Sequence, residues 1–306
     1  MSRTPSLAPV ALPVIDAARA MARIEEQVAL GPRFAGSAGH RQAQDLLATW
    51  LRGADTFREH RFVETFFGQR VTCRNLCGRF LGNRRGRVLL GTHYDTRPWA
   101  DRDPVPERRL EPVPGANDGG SGVALLAELA PTLVQHRDRP TVDIVFFDAE
   151  DWHEIDGKEV SQGSRLFVEQ LAAADRPDAC IIIDMIGGRD LMLDVEVGCQ
   201  DHDPSFALTL SVFQLGRHLG LPAFALTKPH PYKWITCDHT AFMAAGIPTA
   251  LLIDIDYPPW HSVDDLPTHC APDSLAQVGR ALWALLDGFS PPARPAICPT
   301  GLEPVG

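Results

Sequence analysis

The stretch Thr141-Val-Asp-Ile-Val-Phe-Phe-Asp-Ala-Glu-Asp151 runs from apolar, β-branched and aromatic residues straight into three carboxylates: Asp148, Glu150 and Asp151. Neighbouring carboxylates can point to different sides of the backbone, so one can ligate a metal while the next moves a proton. A strand ending in a solvated acidic turn would look the same, and the rest of the chain decides between the two. Residues 87–95 end in His93 and Asp95, and the small-residue turn 115–122 carries Asp118. The apolar run 179–186 holds one acid, Asp184, and the aromatic loop 254–261 ends in His261. Two imidazoles and several carboxylates without a thiolate make a donor set suited to Zn2+. A catalytic zinc typically takes three protein ligands and keeps a position open, and an adjacent carboxylate can act as general acid/base. Taken singly, Asp184 and His93 could be satisfied core groups, Asp118 a helix cap and His261 a stacking residue; coincidence of all four is much harder to sustain.

The elements that must position these residues are legible in outline. Asp16 is placed to cap a helix over 16–30, stopped by Gly31-Pro32, and a second helix covers 38–52. Two strands, 58–67 and 70–81, divide around Gly68. Further strands are expected over 87–95, 141–151, 179–186 and 246–253, with helices over 120–136, from Gly163-Ser164, over 204–219, near 242–245 and over 272–288. Between the strand over 70–81 and the strand at 87, a hairpin-type turn falls at 82–86; residues 96–114 form a charged loop with five prolines, long enough to suggest a functional role. Alternating strands and helices point to one α/β domain: a central mixed, largely parallel β-sheet with helices on both faces. The expected organisation is a loose arm over 1–14, a catalytic domain over 15–290 and a Pro-rich tail over 291–306.

Composition narrows the function classes. The chain has 306 residues, 44% hydrophobic and 22% charged, which is ordinary for a globular domain. A net charge of -10 argues against general nucleic-acid affinity. No apolar run approaches the roughly 18 residues of a membrane helix. The N-terminus is punctuated by proline and does not read as a secretory signal, which leans towards a cytoplasmic protein. The seven cysteines are scattered and read as reduced core thiols. Cys73 and Cys77 have zinc-compatible spacing but fall in an expected strand with no second pair nearby. A monomer is expected, and His136, His153, His202, His218, His230 and His269 are expected to be surface or structural residues.

Taken in order, Gly31-Pro-Arg-Phe-Ala-Gly-Ser-Ala-Gly-His40, Gly91-Thr-His-Tyr-Asp95, Gly115-Ala-Asn-Asp-Gly-Gly-Ser-Gly122, Phe146-Phe-Asp-Ala-Glu-Asp151, Gly163-Ser164, Asp238-His239 and Trp260-His261 resemble the zinc-aminopeptidase-like superfamily. The closer likeness is to its glutaminyl-peptide cyclotransferase branch, the animal-type glutaminyl cyclases and their bacterial relatives, over about residues 30–288. The resemblance implies one zinc held by Asp118, Asp151 and His261, with Glu150 as general acid/base. It also implies Asp184 and Asp238 as acids of the proton network and Trp260 as the wall of the substrate pocket. The substrate would be a peptide or protein with N-terminal glutamine, closed to pyroglutamate with loss of ammonia while zinc polarises the γ-carbonyl. In the aminopeptidases of the superfamily, His93 and Asp184 would hold a second zinc, Asp118 would bridge, and Glu150 would activate water.

Trp260 beside His261 and the long segment between Asp151 and Gly163 favour the cyclase, and Cys237 counts against it. The cyclases carry two acids before the histidine, where this chain reads Cys237-Asp238-His239. Asp151 stands where a glutamate is usual. A metallo-aminopeptidase is the alternative, and a catalytically silent binding protein is a third reading.

Overall fold

The computed structural model describes residues 15–291. The expected arm over 1–14, and the expected tail beyond its first residue, lie outside the described residues. The strands are β1 (Thr56–Phe66), β2 (Gln69–Phe80), β3 (Arg87–His93), β4 (Thr141–Phe147), β5 (Ala179–Asp184), β6 (Val195–Glu196), β7 (Tyr232–Lys233) and β8 (Thr249–Ile253). The helices are α1 (Ala17–Ala29), α2 (Ala38–Trp50), α3 (Ser121–Gln135), α4 (Gln162–Glu169), α5 (Asp203–His218), α6 (His239–Ala244) and α7 (Pro272–Gly288).

Six strands form one sheet in the order β1-β2-β4-β3-β5-β8, and β6 and β7 form a short parallel pair. The four strands β4, β3, β5 and β8 are mutually parallel; β1 and β2 add an antiparallel hairpin at one edge. The hairpin pairs Phe66 with Gln69 and turns through Phe67 and Gly68, both at positive φ (47° and 74°). That is the two-residue turn whose twist suits an antiparallel pair.

The parallel strands are apolar at nearly every position because both faces are covered. Val88, Leu90, Ile144, Phe146, Ile181, Ile183, Ala250 and Leu252 join one core with side chains of α1, α2, α3, α5 and α7. Leu89, Val145, Phe147, Cys180, Ile182 and Leu251 face the other way, where Phe167 of α4 and Phe242 of α6 cover them. The expected mixed, largely parallel sheet between two helical layers is therefore the one found.

Local chemistry sets most element ends. Asp16 caps α1 as expected, its side chain accepting the N–H of Arg19 at 3.0 Å, and Ser37 does the same for His40 at the start of α2. Several expected strand ends shift: β3 stops at His93 and β4 at Phe147, so Asp95, Asp148, Glu150 and Asp151 stand in the turns that follow the strands. β5 stops at Asp184 and does not reach Ile186, because Met185 turns the chain at φ 45°. The helix expected from about 120 is found as α3; Gly120 directly precedes it and no side chain caps it, so Asp118, near this N-terminus as expected, does not serve as its cap. The six described cysteines, all but Cys298, are free thiols. No helix among the described residues is long and apolar enough to cross a membrane.

In the sheet β3 lies between β4 and β5, its two successors. Within this sheet the chain passes from β3 to β4 on one side and from the neighbouring β5 to β8 on the other, and open α/β sheets place their sites at the carboxyl ends of strands around such a point.

Candidate metal centre and catalytic cavity

The C-terminal ends of β3, β4 and β5, the turn before α3 and the loop after β8 converge on one buried cluster. Asp118, Asp151 and His261 each offer a ligand atom, all within 4.8 Å of one another, and His93, Asp118 and Asp184 form a second such trio. All of these side chains are buried, the most exposed being His261 at 8%.

The turn after β4 is built by β3. Beyond Phe147 the chain enters the left-handed region at Ala149, φ 55°, and throws Glu150 and Asp151 forward. Asp95 catches them: its two carboxylate oxygens accept the N–H groups of Glu150 and Asp151 at 3.0 and 3.1 Å. Asp95, one of the strand-end acids in the sequence, thus serves the backbone of Glu150 and Asp151 and lies outside both trios. On the other flank the N–H groups of Ser161 and Gln162 donate to the carbonyls of Glu150 and Ala149 at 3.0 and 3.1 Å. Gly163 is required there, since a Cβ at that position would fall 2.1 Å from the Asp148 carbonyl oxygen.

Asp118 is set by its neighbours in the same way. Asp265 accepts the N–H groups of Asn117 and Asp118 at 2.9 and 3.0 Å, and Gly119 follows at φ 75°, where a Cβ would sit 2.2 Å from the Asp95 carbonyl oxygen. Asp148 belongs to a separate buried network. It binds His40 at 2.8 Å, Gln44 at 3.0 Å and the N–H of Arg74 at 2.7 Å, and it accepts the Tyr94 hydroxyl. Cys73 lies close enough to His40 and Asp148 to complete a third metal-compatible trio, but Asp148 there is already occupied by these donors.

The two trios differ in how they are satisfied. In the second, His93 Nε2 lies 3.2 Å from Asp184 Oδ1 and 3.1 Å from Asp118 Oδ1, its Nδ1 faces the Asp95 carbonyl at 3.2 Å, and Asp184 Oδ2 faces the Cys237 thiol at 3.3 Å. In the first, Asp151 Oδ2 is buried without a hydrogen-bond partner. An orphaned carboxylate oxygen beside a second carboxylate and an imidazole is what a divalent cation would satisfy, so the first trio fits zinc. His261 presents Nε2 at 3.3 Å from Asp151 and 3.6 Å from Asp118, and turns Nδ1 to Asp101 at 3.5 Å. Nδ1 makes no hydrogen bond at that distance, but the nearby Asp101 carboxylate is the kind of group that orients a ligating histidine.

Electrostatics follow from burial and crowding. Burial pushes the Glu150 carboxyl well above the ordinary range; His93 pulls it down, and Asp238, Asp151 and Asp184 push it further up. Asp151 goes the other way: burial raises it, but His261 and Arg97 outweigh burial and hold it at about 2. Burial lowers His261, yet Asp151, Asp101 and Asp118 carry it up to about 9. Asp238 is fully buried, and burial lifts it to about 7 against the pull of His93. Two neighbouring carboxyls driven to opposite ends of the scale is the pattern of a proton-transfer group next to a ligand.

Glu150, Asp184, Trp260, Asp118, Asp151 and His261 all line one cavity of about 290 Å3. Asp238 and His93 do not line it. Trp260 is held in place by its ring contact with His261, centroids 4.3 Å apart, and by the Arg102 guanidinium 4.3 Å from its ring.

Several contributors were not singled out from sequence. Ser161 donates its hydroxyl to Glu150 Oε1 at 3.0 Å. Arg97, 5% exposed, donates to Asp151 Oδ1 at 3.2 Å and pairs with Asp101, so the charged loop 96–114 braces the site. The length and charge of that loop were the available signal; Ser161 offered none beyond its nearness to Gly163. Cys237, noted from sequence for replacing an acid, lines the cavity, and burial followed by Asp184 drives its thiol pKa far up, so it is a neutral donor.

The model for peptidase family M28 matches residues 75–286. No curated protein matches the chain. Among solved structures, the Porphyromonas gingivalis glutaminyl cyclase is 30% identical with a TM-score of 0.80, over 90% of this chain and 98% of that one. The Bacteroides thetaiotaomicron glutaminyl cyclase bound to N-acetylhistamine is 26% identical with a TM-score of 0.82, over 91% and 100%. A Zn-dependent exopeptidase from Parabacteroides distasonis is 28% identical with a TM-score of 0.82, also over 91% and 100%.

Proposed function

The chain belongs to peptidase family M28, and on that footing we propose that it is a zinc-dependent glutaminyl cyclase acting on peptides or proteins with N-terminal glutamine. The observation that carries this reading is the asymmetry between the two trios. Asp151 keeps an orphaned oxygen, whereas Asp184 has one oxygen on His93 and the other on the Cys237 thiol. That favours one metal, on Asp118, Asp151 and His261, over the two of a dinuclear peptidase. Similarity to several bacterial glutaminyl cyclases supports the same choice.

Zinc bound there would polarise the γ-carbonyl of the glutamine as a Lewis acid and draw the raised Glu150 pKa back towards its working range. The protein's residues do the rest. The cavity holds the N-terminal residue so that its α-amine lies near its own side-chain amide carbon, Cδ, which makes a five-membered closure favourable. Glu150, aimed by the Ser161 hydroxyl, takes a proton from the attacking amine and returns it to the departing amide nitrogen. The new bond is N–Cδ, the broken one is Cδ–Nε2 of the side-chain amide, and ammonia leaves. Trp260 walls the flat lactam, and Asp184 and Asp238 extend the buried acid network behind Glu150.

A metallo-aminopeptidase is the second reading, favoured by the mutual proximity of His93, Asp118 and Asp184 and by the exopeptidase among the similar structures. Incubating the zinc-loaded protein with glutaminyl peptides separates the two. Pyroglutamate and ammonia in equal amounts are expected, with one zinc per chain. Release of free amino acid together with two zinc ions per chain would replace the cyclase by the peptidase.

A further inference from the structure

Trp234 is 76% exposed, unusual for the largest apolar side chain, yet it lines the same cavity as Glu150 and the zinc-compatible trio. It stands on a rigid support. The preceding strand β7 pairs with β6, Tyr232 opposite Val195 and Lys233 opposite Glu196. Lys233 also pairs at 3.0 Å with Asp256, in the loop that carries Trp260 and His261. Beneath the indole lies Gly198, where a Cβ would come within 3.1 Å of the ring atom Cζ3, and the Glu196 carboxylate fixes the Gly198 and Cys199 N–H groups. The indole is therefore seated on backbone on one side and left open on the other. The other tryptophan of the cavity, Trp260, already contacts Arg102 and His261.

We propose that Trp234 forms a subsite for the second residue of the peptide substrate and selects a large apolar or aromatic side chain there. The inference rests on the cyclase reading given above, which places the N-terminal residue at Glu150. Trp234 lines the exposed side of this cavity of about 290 Å3 beside Ile235 and Ile255, so a chain running outward from a residue held at Glu150 can pass across the indole face. Stacking or edge-on contact with an aromatic side chain is the favourable use of such a face.

The test compares Gln-Phe-amide with Gln-Gly-amide on the zinc-loaded protein, on Trp234→Ala and on the conservative Trp234→Phe. Wild type should favour Gln-Phe-amide in kcat/KM. In Trp234→Ala that preference should fall by roughly three- to tenfold, mainly through KM, and Trp234→Phe should recover most of it. Zinc content and far-ultraviolet circular dichroism of the variants establish that the site is intact. A Phe/Gly ratio unchanged in Trp234→Ala overturns the subsite while leaving the cyclase in place. No turnover of either peptide by wild type overturns the cyclase reading and this inference with it.

Discussion

The thiol of Cys237 donates to Asp184, with Sγ 3.3 Å from Oδ2. It occupies the side of Asp184 that faces away from His93, and it does so as a neutral group. Replacing it with alanine leaves a buried carboxylate oxygen short of a donor, at a cost of about 1 kcal/mol. Cys237→Ser keeps a donor and is expected to unfold at nearly the wild-type temperature, with Cys237→Ala below both. Equal melting temperatures for the alanine and serine variants would show that the contact contributes nothing.

Glu150→Gln removes a proton carrier and little else, because the backbone at 150 is held by Asp95 and Ser161. Turnover of glutaminyl peptides should drop by about 10²–10⁴-fold while zinc content stays at the wild-type level. Ser161→Ala, which takes away only the hydroxyl on Glu150 Oε1, should lose about tenfold. A Glu150→Gln enzyme with wild-type kcat would remove Glu150 from the chemistry.

Arg97 holds one oxygen of Asp151 and leaves the other free. Without the guanidinium the short aspartate ligand loses its bearing, and groups in this supporting position commonly contribute about 10–100-fold to metal affinity. Arg97→Ala should therefore yield zinc to a competing chelator at correspondingly lower chelator concentration. His261→Ala should lose the metal altogether, whereas His93→Ala should keep one equivalent. A wild type that binds two equivalents and falls to one in His93→Ala would favour the two-metal arrangement.

Glu196 supports the rim on which Trp234 stands. Burial raises its pKa, but His239, 3.5 Å away, and the N–H groups of Gly198 and Cys199 outweigh burial and hold it below the ordinary 4.5. Because the folded value is the lower one, this stabilisation is fully present above about pH 4.5 and is lost as pH falls through the folded value. Glu196→Gln should be less stable than wild type at about pH 7, by about 1–3 kcal/mol, and the gap should narrow in acid. Urea denaturation at the two pH values measures it; a gap that widens in acid would contradict the assignment.

Much of the architecture was readable because it is locally encoded. The apolar runs of β3, β4 and β5 are continuous, the cap at Asp16 is conventional, and Gly68 separates two strand-like segments. Errors fell at element ends. The reach of β5 was overstated because the apolar pattern continues through Met185 and Ile186, while a left-handed φ at Met185 ends the pairing. The minor pair β6–β7 went unseen because two residues per strand carry no periodicity.

The sequence by itself determined that strands would end in carboxylates and imidazoles and which residue types would meet, because strand patterns and turn glycines are short-range properties. Which atoms face which was decided only by the tertiary structure. Asp95 reaches Glu150 across 55 positions, Arg97 reaches Asp151 across 54 and Cys237 reaches Asp184 across 53. Such contacts depend on how parallel strands and their loops stack at one end of the sheet. The same packing divides the acids after β4: Asp148 is drawn into the network of His40, Gln44 and Tyr94, while Glu150 and Asp151 are turned to the cavity.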